Sequence, residues 1–270
     1  MLGHRRERIP SPPLGYVGGV ELGIDGKVAL VMAASKGIGR GIAAALAREG
    51  ARVAVASRSE VRAGEAARAI GGGAVAFEAD TDDLGRMAEV PGEVAERFGD
   101  PATIVVLNTG GPPQGGPLES SIGDWEAAFR SLVLAPRVLV EATLPAMRER
   151  GFGRIVNVGS SSTREPIANL TLSNSLRLAA VGFLKTLSRE VAGEGVTVNT
   201  VATGRFATER LASNWGGWEQ MESGAARDVP AGRLGTPEEY GDLVAFLCSQ
   251  RAGYLTGAVI PLDGGLLRSV

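Results

Sequence analysis

The 270-residue chain is poor in the side chains that enzymes most often use for chemistry. It has one histidine (His4), one cysteine (Cys248), three tyrosines (Tyr16, Tyr240, Tyr254) and three lysines (Lys27, Lys36, Lys185). A metal site built from histidine and cysteine would lack ligands, so no metal is expected. One cysteine cannot form an internal disulfide, and this usage favours a cytoplasmic chain. A Ser-His-Asp or Cys-His nucleophile would depend on His4, close to the N-terminus. The net charge of −2 gives no electrostatic case for nucleic acid. No apolar run approaches the roughly 18 residues of a membrane span, so no membrane partner is expected.

The N-terminal stretch carries Arg5, Arg6, Glu7 and Arg8, followed by Pro10, Pro12 and Pro13. A signal peptide would place an apolar stretch after those charges, and none is there. Residues 1–21 are read as a flexible tail. Residues 22–270 are read as a single domain, a length that suits one α/β unit.

Short apolar runs rich in β-branched residues alternate with longer helical stretches. Strands are expected at 28–32, 52–56, 74–77, 103–107, 154–158, 197–201 and 258–261. Helices are expected at 37–49, 60–70, 82–98, 124–149, 173–192 and 237–249. Pro91-Gly92 predicts a kink in the third. Thr236-Pro237-Glu238-Glu239 starts the last, with a hydroxyl cap, a proline in the first turn and a glutamate three residues after the cap. The Gly/Trp-rich stretch near 213–218 is read as a mobile excursion. Continuous apolar strands alternating with helices imply an α/β fold: a doubly wound parallel sheet, a Rossmann fold, with helices on both faces.

Between the first strand and first helix lies Val31-Met32-Ala33-Ala34-Ser35-Lys36-Gly37-Ile38-Gly39. Glycine there permits a tight turn and close backbone approach to a pyrophosphate, and the helix start supplies free N–H groups. Ala33, Ser35, Lys36, Gly37, Ile38 and Gly39 are therefore candidate cofactor contacts. After the second strand stands Ser57-Arg58 rather than a carboxylate. A carboxylate would accept from the ribose 2′-OH of NAD, whereas Arg58 and Lys36 suit a 2′-phosphate, so NADP(H) is favoured over NAD(H).

This turn resembles that of the short-chain dehydrogenase/reductase family, which usually has Thr-Gly-x-x-x-Gly-Ile-Gly where this chain has Met32 and Ala33 before Gly37-Ile38-Gly39. Further motifs carry the resemblance across residues 22–267. Asp80-Thr81 stands at the family's adenine-contacting position. Leu107-Asn108-Thr109-Gly110 replaces Asn-Asn-Ala-Gly, and Thr203-Gly204-Arg205-Phe206-Ala207-Thr208 replaces Pro-Gly-x-x-x-Thr, which flanks the nicotinamide. The resemblance thus adds Asp80, Thr81, Asn108, Thr109, Gly110, Gly204, Phe206 and Thr208 as cofactor contacts. The stretches 231–239 and 254–265 are similar to 3-oxoacyl-(acyl-carrier-protein) reductases in particular.

The family reduces carbonyls with a tyrosine acid, a lysine four residues later on the same helix face, a serine on the carbonyl and an asparagine holding a relay water. Here Arg154-Ile155-Val156-Asn157-Val158-Gly159-Ser160 keeps the serine. Counting from it, the tyrosine position is Ser173, the lysine position is Arg177 and the asparagine position is Leu132. A serine alcohol is far less acidic than a phenol, and Arg177 can bind ribose or a carboxylate but cannot share a proton at neutral pH. Arg164 and Glu165 are the charged loop residues within chain reach of the centre.

The resemblance implies an atypical short-chain NADP(H)-dependent oxidoreductase that interconverts carbonyl and alcohol on a small-molecule or acyl-thioester substrate. Ser160, Ser173 and Arg177 would carry the reaction, and Arg177 would also hold the cofactor. The alternatives are a catalytically impaired dinucleotide-binding protein, as a sensor or partner subunit, or a changed reaction on the same fold. Halohydrin dehalogenases share the arginine but keep the tyrosine. The resemblance also implies a homodimer or homotetramer formed through helices 124–149 and 173–192.

Overall fold

The computed structural model describes residues 21–269. Its core is a seven-stranded sheet in the order β3-β2-β1-β4-β5-β6-β7. The strands are β1 (Val28–Val31), β2 (Arg52–Ser57), β3 (Val75–Glu78), β4 (Ile104–Leu107), β5 (Gly153–Val158), β6 (Val196–Thr203) and β7 (Val259–Leu262). Every neighbouring pair is parallel. The expected Rossmann fold is therefore the one formed. The chain runs outward from β1 to β3, then returns to place β4 on the other side of β1. That reversal opens a crevice beyond the carboxyl ends of β1 and β4, where ligands bind in such sheets.

Successive strand residues face opposite sides of the sheet, and both sides are covered. Ala29, Val31, Val53, Val55, Ile104 and Val106 meet Ile42 and Leu46 of α1 (Gly37–Arg48), Ala63 of α2 (Glu60–Ile70) and Val244 of α9 (Pro237–Leu247). Val28, Leu30, Ala54, Val105 and Leu107 meet Met87 and Val94 of α3 (Leu84–Phe98), Leu139 of α5 (Ala135–Glu149) and Leu184 of α6 (Thr171–Val191). The uninterrupted apolar strands follow from this double burial.

Three local expectations change. The helix α3 runs unbroken from Leu84 to Phe98, with Pro91 inside it and buried. The stretch expected as one helix over 124–149 is α4 (Ile122–Phe129), a π-helical turn (Arg130–Leu134) and α5. It starts two residues early because Ser121 and Asp124 form a capping box. The excursion near 213–218 is ordered as α7 (Glu209–Asn214) and α8 (Trp218–Asp228). They are joined through Gly216 and Gly217, both at positive φ. Trp215 stacks under the Arg205 guanidinium at 4.5 Å and lies against Gly224, where any Cβ would clash. Tryptophan and glycine together thus pack the turn between two helices that composition alone did not mark. The tail at 1–20, with His4 and Tyr16, lies outside the described residues. Among the described residues, no helix is long and apolar enough to cross a membrane.

Candidate active site

The β1–α1 turn is shaped by main-chain contacts. Gly37 has φ 55°, in the left-handed region. Gly39 has ordinary helical geometry, but a Cβ there would collide with the Ala33 carbonyl oxygen and the Asn108 amide nitrogen. Asn108 Nδ2 itself donates to the Ala33 carbonyl at 3.4 Å, so the end of β4 braces the turn. The helices α2, α3, α4 and α9 each have a side-chain cap, from Ser59, Asp83, Ser121 and Thr236. At α1 the cap position is Lys36, and no side chain caps the helix. Its first N–H groups are left for an anion, which is how a dinucleotide pyrophosphate is held.

Ala33 occupies the same turn at φ 47°, where a Cβ costs about 1–2 kcal/mol. Glycine would remove that strain but adds chain entropy to the unfolded state. Ala33→Gly is therefore expected to raise unfolding stability by roughly 0.5–1 kcal/mol, seen as a higher urea midpoint at unchanged m-value. No rise, or a fall, would show that the turn relaxes around the methyl group.

At the ends of β2 and β3 the residues divide. Ser57 is buried, and its hydroxyl is tied to the main chain of Ser59. Arg58 is exposed, with no ion-pair partner among the described residues. Lys36 does not stand open as expected: its ammonium donates to Glu209 Oε2 at 2.7 Å across the mouth of the turn. Both side chains are well exposed, so the pair is weak enough for a phosphate to compete. Asp80 accepts from the Asp82 amide at 3.1 Å, beside Thr81. Ser35 and Ile38 are half-buried in the turn.

The far wall comes from the end of β6. Gly204 passes Asp263 so closely that a Cβ would not fit. The Phe206 ring is buried in the core, edge-on to Tyr240 at 5.1 Å, which leaves its backbone as the candidate contact. Thr208 caps α7, and its methyl group lies against Gly37.

The reaction centre gathers at the carboxyl end of β5. Ser160 Oγ accepts from the Ser162 amide at 3.1 Å, which leaves its own proton free to donate. Ser173 is buried in the first turn of α6. Arg177, one turn on, donates Nη1 to the Val158 carbonyl at 2.9 Å and makes a long 3.5 Å contact from Nη2 to the Gly110 carbonyl, beside Thr109. Burial, with the like charge of Arg210, pulls its guanidinium down to about 10, still cationic at neutral pH. Leu132 sits in the π-helical turn, a distortion often found at functional sites. It packs with Ala128, Leu172 and Leu176 in a dry cluster flanking Ser173. That space cannot hold a water ordered by its walls.

No tyrosine replaces the missing acid at this centre among the described residues. Tyr240 is fully buried and its hydroxyl pairs with Thr203 at 2.9 Å. Burial pushes its phenol well above the usual range. Tyr254 is fully exposed. Arg164 and Glu165 are also engaged elsewhere: Arg164 donates to the Val259 carbonyl, and Glu165 accepts from the Arg268 and Ser269 amides. Sequence reading missed Glu209 and Arg210, which α7 brings over the cleft, and Ser162, whose hydroxyl is buried without a partner. Arg210 makes a long contact, 3.5 Å, to the Pro112 carbonyl. The helix carrying the first two was assigned no element from the sequence, which marked only 213–218 as an excursion.

Comparisons with known proteins agree with this architecture. The family described as enoyl-(acyl carrier protein) reductase matches residues 32–267. The chain is 34% identical over 252 residues to the 3-oxoacyl-(acyl-carrier-protein) reductase FabG of Haemophilus influenzae, covering 91% of this chain and 100% of that protein. It is 34% identical over 273 residues to the cyclohexanol dehydrogenase of Rhodococcus sp. strain TK6, covering 92% and 98%. Among solved structures, L-sorbose reductase from Gluconobacter frateurii, complexed with NADPH and L-sorbose, superposes with a TM-score of 0.87 at 30% identity, covering 93% of this chain and 100% of that one. With its parallel sheet, uncapped phosphate turn and serine at the end of β5, the chain belongs to the short-chain dehydrogenase/reductase family of oxidoreductases.

Proposed function

We propose that this protein is an atypical NADP(H)-dependent carbonyl reductase, with residues 22–270 acting as one dinucleotide-binding and reductase domain. The uncapped α1 N-terminus, closed over by Gly37, Gly39 and Asn108, carries the reading. Ala33, Ser35, Lys36 and Ile38 complete the phosphate turn. Arg58 and Lys36 meet the 2′-phosphate, while Ser57 keeps the β2 end compact through its bond to Ser59. Asp80 and Thr81 border the adenine, and Asn108, Thr109, Gly110, Gly204, Thr208 and the Phe206 backbone border the rest of the dinucleotide. Bound NADPH supplies a hydride to the carbonyl carbon.

The chain's own residues complete the chemistry. Ser160 donates a hydrogen bond to the carbonyl oxygen and keeps its proton, a contact that strengthens as negative charge develops there. Ser173 passes a proton from water to that oxygen. Arg177 holds the ribose hydroxyls and places positive charge beside the centre. The substrate is a small-molecule or acyl-thioester carbonyl, and the protein works in the cytoplasm as a homodimer or homotetramer. A dinucleotide-binding protein without turnover is the second reading. The dry Leu132–Leu172–Leu176 cluster favours it, because it removes the family's relay water.

Titration followed by nicotinamide fluorescence tests the first reading. NADPH is expected to bind at least about tenfold more tightly than NADH, and Arg58→Ala to remove most of that difference. Equal affinity for both would overturn the NADP assignment. Failure of either to bind would overturn the dinucleotide reading itself.

A further inference from the structure

Two arginines from different elements converge on one short loop. Arg177 reaches the Gly110 carbonyl from α6, and Arg210 reaches the Pro112 carbonyl from α7, each at 3.5 Å. Between them, the Arg210 guanidinium lies directly against Gly111, in the space a Cβ there would take. Three cations elsewhere in the chain are paired with carboxylates: Lys36 with Glu209, Arg205 with Asp228 and Arg233 with Glu239. Neither Arg177 nor Arg210 has a carboxylate within ion-pair distance among the described residues. Glu165 is taken by main-chain amides.

The charges are near enough for Arg210 to weaken the hold of Arg177 on its proton. Two like charges drawn together over a partly buried loop repel, and one 2.9 Å bond with two long contacts uses few of their ten N–H donors. An anion between them would relieve the repulsion and accept charge-assisted hydrogen bonds from both. Arg177 lies on the same helix face as Ser173 and is tied to the end of β5, two residues before Ser160. The anion would therefore sit beside the reacting carbonyl.

We propose that Arg177 and Arg210 bind a carboxylate on the substrate, so that this protein acts on free oxo acids in preference to uncharged ketones. The inference rests on the reductase reading and narrows it to a substrate class. It also explains why arginine serves where the family has lysine: a planar fork can hold a carboxylate with two bonds while its stem stays against the loop.

The test uses 2-oxobutyrate, acetoacetate and levulinate, each beside its methyl ester. Calorimetric titration is run on wild type and Arg210→Gln, with and without NADPH, and NADPH oxidation is followed in parallel. At least one acid is expected to bind about tenfold or more tightly than its ester to the wild type, and Arg210→Gln to bring the two within about twofold. Where turnover is seen, kcat/KM should show the same loss of preference, carried by KM. Esters binding as well as the acids, or a preference that survives Arg210→Gln, would overturn the proposal. So would an Arg210→Gln variant that loses NADPH affinity but keeps the acid preference, since the pair would then serve the cofactor's phosphates. Acid binding that depends on Arg210 while NADPH fails to bind would support the anion site and reject the reductase reading separately.

Discussion

Ser160→Ala is expected to lower kcat by about 10²–10³-fold while leaving NADPH affinity and the fold close to wild type. Its hydroxyl is the one member of the family's tetrad kept in kind. It accepts from the Ser162 amide at 3.1 Å, so its own proton points to whatever acceptor enters the cleft. A carbonyl oxygen gains negative charge as hydride arrives, so this donor matters more in the transition state than in the bound substrate. The loss should therefore fall on kcat rather than KM. With no phenol at position 173, the developing oxyanion depends on Ser160 together with Ser173 and the Arg177 charge. The structural cost is small, about 1 kcal/mol, because only a short helical cap is lost. Steady-state NADPH oxidation on any accepted carbonyl measures it. A kcat within about threefold of wild type would remove Ser160 from the mechanism.

The second large effect is expected from Gly39→Ala. Gly39 does not have a positive φ, so backbone strain plays no part and the cost is steric. The new methyl group would strike the Ala33 carbonyl and press on Asn108 Nδ2. Either α1 moves away from the turn or Asn108 lets go of Ala33. Both outcomes misplace the free N–H groups that face the phosphates. Overpacking of this kind costs about 1–3 kcal/mol of stability. The loss of NADPH affinity should reach the upper part of that range, about 100-fold, because several charge-assisted hydrogen bonds depend on one geometry. Fluorescence titration and urea unfolding separate the two effects. Affinity within about threefold of wild type would mean that this turn is not the phosphate cradle.

The sequence made much of this architecture legible. Apolar runs such as Val28–Val31 and Ile104–Leu107 could only be strands buried on both faces, and the helices between them had to cover both sides. The phosphate turn was readable because glycine answers to local sterics. What escaped was long-range. Gly39 is confined by Asn108, far along the chain, as well as by Ala33, and Lys36 is held by Glu209, on a helix to which the sequence assigned no element. The segment at 213–218 misled because its paired glycines mark a turn, which is present but joins two helices. Here Trp215 fills the space left by Gly224 and stacks on Arg205, contacts that composition does not display.

The absence of a tyrosine at position 173 was set by the chain alone: with three tyrosines in 270 residues and none there, no packing can supply the family's phenol at that position. The tertiary structure decided what fills the gap. It seals Tyr240 against Thr203, sends Arg164 and Glu165 to other partners, dries the asparagine position with Leu172 and Leu176, and brings Arg210 to the loop that Arg177 touches. The physical reason is that residue type sets which protons and charges a side chain can carry, whereas sheet order and helix packing set which of them meet.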